Sequence, residues 1–129
     1  MRLIDQVALV TGAAGGIGRE IARTFAREGA RVAIADLDRD AAGKTVAELT
    51  GEDRQAVAVA MDVTNEAQVE AGMARVIEAY GRIDILVSNA GIQRVCPLED
   101  LSFEDWRQVL AVHLDGAFLT TRAALRQMY

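Results

Sequence analysis

The stretch Val7-Ala8-Leu9-Val10-Thr11-Gly12-Ala13-Ala14-Gly15-Gly16-Ile17-Gly18 constrains the fold of this chain more than any other. Its four leading apolar residues read as a strand buried on both faces. A glycine-rich turn follows at once. Ile17, Ile21, Ala22, Phe25 and Ala26 then recur at helical spacing until Gly29 stops the helix. Glycine in a strand-to-helix turn permits backbone angles closed to other residues and lets a ligand approach the chain closely. The free N–H groups and dipole of the helix start then suit a phosphate. Tight packing alone is the competing reading of such a turn, but its place between strand and helix favours phosphate.

The alternation continues. Arg31 to Ala35 reads as a second strand ending at Asp36, and Asp38 to Leu49 as a helix with Val46 and Leu49 towards the core and Gly51 beyond it. Ala56 to Met61 is a third strand closed by Asp62. From Glu66 to Tyr80, the residues Val69, Met73, Val76, Ile77 and Tyr80 share one helical stripe. Asp84 to Val87 is the fourth strand, and residues 89 to 101 form a loop containing Pro97. Ser102, with Asp105 three residues on, starts the last helix as an acidic variant of the capping box. Trp106, Val109, Leu110, His113 and Ala117 make one of its stripes; Leu114, Phe118 and Leu125 make another. A helix apolar over so much of its circumference must be covered on more than one side. The pattern predicts an α/β fold: a Rossmann-type, doubly wound parallel sheet with strand order 3-2-1-4, right-handed crossovers and helices on both faces. With no repeat, low-complexity tract or linker, residues 1–129 read as one domain.

Composition narrows the function classes. A chain that is 51% hydrophobic and 26% charged is globular. Its net charge of -5 argues against a surface built for nucleic acid or anionic lipid. No apolar run approaches the ~18 residues of a membrane span, and the start carries no signal-peptide pattern. Cys96 is the one cysteine, so no internal disulfide is expected and a reducing cytoplasm suits the chain. Cys96 and the one histidine, His113, give no metal-site spacing, so no metal is expected.

Asp36 ends the second strand, where an acid accepts hydrogen bonds from the adenosine ribose hydroxyls. The alternative is a solvated helix-start acid, since Asp38 and Asp40 follow. A carboxylate there repels a ribose 2′-phosphate, and Ala13, Ala14 and Gly15 supply no cation to bind one. NAD(H) is therefore the expected cofactor, over NADP(H).

Together these residues resemble the short-chain dehydrogenase/reductase family. Thr11-Gly12-x-x-x-Gly16-Ile17-Gly18 has that family's glycine spacing, Asp62-Val63 matches its adenine-flanking pair, and Ser88-Asn89-Ala90-Gly91 is similar to its N-N-A-G segment. Asp84 matches the acid that often opens the fourth strand. The resemblance implies that Gly12, Gly16, Ile17 and Gly18 contact the pyrophosphate and nearby ribose. It further implies that Asp36 and Leu37 bound the adenosine ribose and that Asp62 and Val63 flank adenine. By the same resemblance Asn89, Ala90 and Gly91 are expected to line the groove and brace the fourth strand, while Thr11 reads as a turn-stabilising hydroxyl rather than a ligand.

The segments Asn89-Ala90-Gly91-Ile92-Gln93, Cys96-Pro97-Leu98-Glu99 and Asp115-Gly116-Ala117-Phe118 are similar to the 3-hydroxybutyrate dehydrogenases of that family. There the residue at the place of Gln93 helps hold the substrate carboxylate, as a neutral amide donor suits. A solvated loop amide is the other reading of Gln93, and a surface arginine the plainer reading of Arg94. His113 stands where the family has a catalytic-set asparagine; it is either a proton relay or a core histidine bonded to a backbone carbonyl.

The family acid, a tyrosine followed four residues later by a lysine, has no counterpart here. Lys44 is the only lysine and precedes both Tyr80 and Tyr129. The resemblance thus covers about the first half of the family pattern. It implies an NAD-dependent oxidoreductase fragment, inactive alone, whose parent interconverts a secondary alcohol and a ketone. The expected substrate is a small hydroxy or keto acid, and the full-length form is expected to be a homo-oligomer. A non-catalytic NAD-binding module docking through its last helix, and a short-chain reductase with another hydroxy/keto substrate, are the alternatives.

Overall fold

A computed structural model describes residues 1–129. Its centre is β1 (Val7–Thr11), buried at every residue as a continuous apolar run requires. β2 (Arg31–Asp36) pairs with it in parallel from Val7↔Arg31 to Thr11↔Ala35. β4 (Ile85–Val87) flanks the other side from Ala8↔Ile85 to Val10↔Val87, and β3 (Ala56–Ala60) lies beyond β2. The order is β3-β2-β1-β4, all parallel, as the alternation predicted.

Period-two alternation along β1 splits its side chains between two cores. Val7 and Leu9 pack with Val69, Met73 and Val76 of α3 (Glu66–Tyr80). Ala8 and Val10 pack with Ala22 and Ala26 of α1 (Gly16–Arg27) and with Ala42 and Leu49 of α2 (Arg39–Gly51). Asp84 fixes the entry to β4: its Oδ2 accepts the Val7 N–H at 2.8 Å, and Arg82 holds its Oδ1 at 2.6 Å.

Two expectations are corrected. Ile17, grouped by spacing with the apolar face of α1, is 76% exposed in the first turn, and α1 buries Gly18, Ala22 and Ala26. The last helix is not α-helical throughout. It consists of α4 (Phe103–Leu110), a π-helical turn (Ala111–Asp115) and α5 (Gly116–Met128). The i→i+5 bonding of such a turn re-phases the faces on either side of it. The small residues Gly116, Thr120, Ala123 and Ala124 are therefore the buried ones, while Leu114 and Phe118 are 62% and 59% exposed. Gly116 lets α5 approach Val63, whose Cγ2 would lie 2.6 Å from an added Cβ.

Candidate cofactor groove

The carboxyl ends of β1, β2, β3 and β4 open onto a groove of about 580 Å³, within the ~300–1,000 Å³ usual for ligand sites. Gly12, Gly15 and Ile17 form one wall, Asp36 and Leu37 the next, and Met61, Asp62 and Val63 the far end. Asn89, Ala90, Gly91, Ile92 and Val112 close the side towards α4. No lysine or arginine lines it. The exposed apolar side chains of Ile17 and Leu37 stand at its rim.

Helix capping marks out one end of this groove. Asp38, Asn65 and Ser102 cap α2, α3 and α4 with side-chain oxygens, and acids occupy the first turn of each. α1 has neither: its N-cap is Gly15, no side chain bonds its first N–H groups, and its first turn holds no acid. Orphan donors with no side-chain cap and no acid in the first turn suit a bound phosphate. Gly12 and Gly16 reach this turn with φ of +65° and +58°, angles that favour glycine.

Asp36 is already engaged. Its Oδ2 accepts the Ala14 N–H at 3.0 Å and its Oδ1 accepts the Asp38 N–H at 3.0 Å. Each carboxylate oxygen has a second lone pair, so ribose hydroxyls can still donate to it. Asp62 is held in an Asx turn, its Oδ1 accepting the Thr64 N–H at 2.9 Å and the Thr64 hydroxyl at 2.7 Å.

Asn89 does two things. It lines the groove, and its Nδ2 donates to the carbonyls of Thr11 at 3.1 Å and Gly12 at 3.3 Å, tying β4 to the glycine turn. The Thr11 hydroxyl accepts the N–H groups of Asn89 and Ala90, each at 3.0 Å. Gly16 and Gly18 do not line the groove. Gly18 is buried, and an added Cβ would lie 2.4 Å from Asn89 Nδ2 and 2.6 Å from the Gly12 carbonyl.

His113 reaches across to the loop after β4. Its Nε2 lies 2.9 Å from the Ile92 carbonyl and 3.2 Å from the Ile92 N–H. A protonated Nε2 donates to the carbonyl, and a bare one accepts from the N–H. Gly91 leaves room for the ring, since a Cβ there would meet His113 Cε1 at 2.6 Å. The residue lies in the π-helical turn and is exposed, not in a core. Gln93 is exposed and outside the groove wall, and Arg94 bonds Gln108 at 2.9 Å.

Gly15, Met61, Ile92 and Val112 were not singled out by the motifs, nor was Thr45, whose buried hydroxyl donates to the Ala14 carbonyl at 3.2 Å. Met61 carried a signal, being the residue before Asp62 at a strand end. A helical threonine carries none.

A doubly wound parallel sheet with a glycine turn, an uncapped helix and a strand-end acid around one groove defines a dinucleotide-binding type of protein. The family model for short chain dehydrogenases matches residues 6–129, and the chain belongs to that family of nicotinamide-dependent oxidoreductases. It is 50% identical over 117 residues to the uncharacterized oxidoreductase YxjF of Bacillus subtilis, covering 91% of this chain and 46% of that protein. It is 45% identical to D-threitol dehydrogenase of Mycolicibacterium smegmatis, over 98% of this chain and 49% of that one. Among solved structures, 3-ketoacyl-(acyl-carrier-protein) reductase from Brucella melitensis, complexed with NADH, superposes with a TM-score of 0.91 at 36% identity, covering 97% of this chain and 51% of that one. The chain spans about half the length of the relatives it matches.

Proposed function

We propose that this chain is the NAD(H)-binding part of an oxidoreductase that interconverts a secondary alcohol and a ketone, and that 3-hydroxybutyrate and acetoacetate are its substrate pair. The observation that carries the cofactor choice is the Asp36 carboxylate in a groove with no cationic lining. A 2′-phosphate there would meet a negative charge and no positive one. When bound, the cofactor would be held by Asp62 and Val63 at its adenine, by Asp36 at its ribose hydroxyls and by the free N–H groups of α1 at its pyrophosphate. The bound nicotinamide supplies the hydride acceptor or donor.

Proton transfer needs the family's tyrosine–lysine pair, which these residues do not include. We therefore expect residues 1–129 alone to bind cofactor without turnover. His113, at the place of the family's asparagine, is this chain's candidate for the proton path, its Nε2 held 2.9 Å from the Ile92 carbonyl on the loop bordering the groove. Gln93, exposed on that loop, donates its amide to the substrate carboxylate. The 3-keto group of such a substrate matches the 3-ketoacyl group of the reductase named above, which carries no free carboxylate, and a polyol matches the threitol enzyme.

The test is steady-state turnover by the full-length protein on 3-hydroxybutyrate and D-threitol with NAD. Gln93→Ala is expected to raise KM for 3-hydroxybutyrate by about tenfold, the loss of one bond to a charged group, with NAD affinity unchanged. Turnover of D-threitol alone would overturn the hydroxy-acid assignment.

A further inference from the structure

We propose that Thr45 is a positioning residue for the phosphate-binding turn, holding the Ala14 peptide at its carbonyl as Asp36 holds it at its N–H, so that it serves the phosphate end of the groove and not the ribose end. The proposal rests on the NAD(H) reading above. Ala14 is gripped on both sides: its N–H donates to Asp36 Oδ2 at 3.0 Å, and its carbonyl accepts the Thr45 hydroxyl at 3.2 Å. The preceding N–H, of Ala13, donates to the Ala35 carbonyl at 3.2 Å. Gly15, the uncapped N-cap of α1, follows directly.

The threonine is set apart from others in the helices. Thr24, Thr50 and Thr120 each bond back to the carbonyl four residues earlier in their own helix. That is the ordinary local use of a helical hydroxyl. Thr45, only 3% exposed, instead spends its one hydrogen bond on a carbonyl 31 residues away, in the turn. Thr45 thus links α2 to the turn as Asp36 links β2 to it, while Asn89 holds the opposite flank through Gly12. The direction in which the α1 N–H groups point depends on this grip. Ligands using only the ribose end do not depend on it in the same way.

The test uses the 129-residue chain with NADH and with adenosine, which lacks phosphates. Calorimetry follows NADH, ligand-observed NMR follows adenosine, and circular dichroism reports folding. Thr45→Val keeps the shape, removes the hydroxyl and leaves the Ala14 carbonyl unpaired. Its NADH Kd is expected to rise about tenfold, while its adenosine Kd stays within about twofold. Thr45→Ser is expected to restore NADH binding. Should Thr45→Val fail to fold, Thr45→Ser against Thr45→Ala isolates the hydroxyl with the same methyl removed. An unchanged NADH Kd without the hydroxyl, or equal losses for both ligands, overturns the positioning role at the phosphate end and leaves the cofactor assignment standing. Failure of the unmodified chain to bind NADH overturns both.

Discussion

At the scale of single residues, the glycines separate into distinct kinds. Gly18→Ala would drive a Cβ to 2.4 Å from Asn89 Nδ2 and 2.6 Å from a backbone carbonyl. We expect it to destabilise the chain by roughly 1–3 kcal/mol through overpacking. Gly43→Ala, in the middle of α2 with nothing within 4 Å, is expected to stabilise it by roughly 0.5–1 kcal/mol. Urea unfolding of the two variants checks both signs. Asp36→Ala is expected to narrow the preference for NADH over NADPH and also to weaken NADH itself, because the same carboxylate holds Ala14 and Asp38. His113→Asn in the full-length protein is expected to keep most of the turnover, and His113→Ala to lose about 10²-fold if the relay operates. The motifs led to Asp36, Asp62 and Asn89, because fixed spacing from a strand end is visible in one dimension. They did not distinguish Gly12, whose backbone faces the groove, from Gly18, which is packed behind it. Nor did spacing reveal Thr45, whose partner lies 31 residues away in the chain.

At the scale of elements, strand boundaries followed from short apolar runs and the start of the last helix from Ser102, whereas the caps Asp38 and Asn65 emerged only in the structure. The π-helical turn was invisible. A stripe drawn at 3.6 residues per turn through Trp106, Leu110, His113 and Ala117 presumes unbroken register, and one wider turn ends that register. The same turn places His113 against Ile92. Between α1 and α2, Glu48 pairs with both Arg19 and Arg23. The hydrogen bond from Arg19, ahead of other causes, holds the Glu48 carboxyl below its usual range. A lowered pKa in the folded state means that the stabilising contribution is present above the unfolded value and is lost as pH falls through the folded one. The pair is solvent-exposed, so its effect is small and screened by salt. Melting temperatures of Glu48→Gln and the unmodified chain are therefore expected to differ slightly at neutral pH and to converge on acidification or in salt. A difference that grew on acidification would contradict the pairing.

At the scale of the whole molecule, the sheet order was legible because parallel strands joined by helices admit few topologies. The partial exposure of the last helix was legible too, since its two apolar stripes need more cover than these elements supply; which side chains stay exposed was not. Phe103, Trp106, Leu114 and Phe118 are 71%, 47%, 62% and 59% exposed, and such a patch favours association. We expect the chain to self-associate through this face and Phe118→Glu to shift sedimentation towards monomer; an unmodified chain that sediments as a monomer at high concentration would count against it. The central claim, however, is the groove: an acid at the end of β2, an uncapped helix, and no cation between them. Isothermal titration of residues 1–129 with NADH and NADPH in the same buffer tests it most directly. The account predicts measurable NADH binding that is at least about tenfold tighter than NADPH binding, as one uncompensated charge contact of a few kcal/mol or less implies. Equal or tighter binding of NADPH would contradict it.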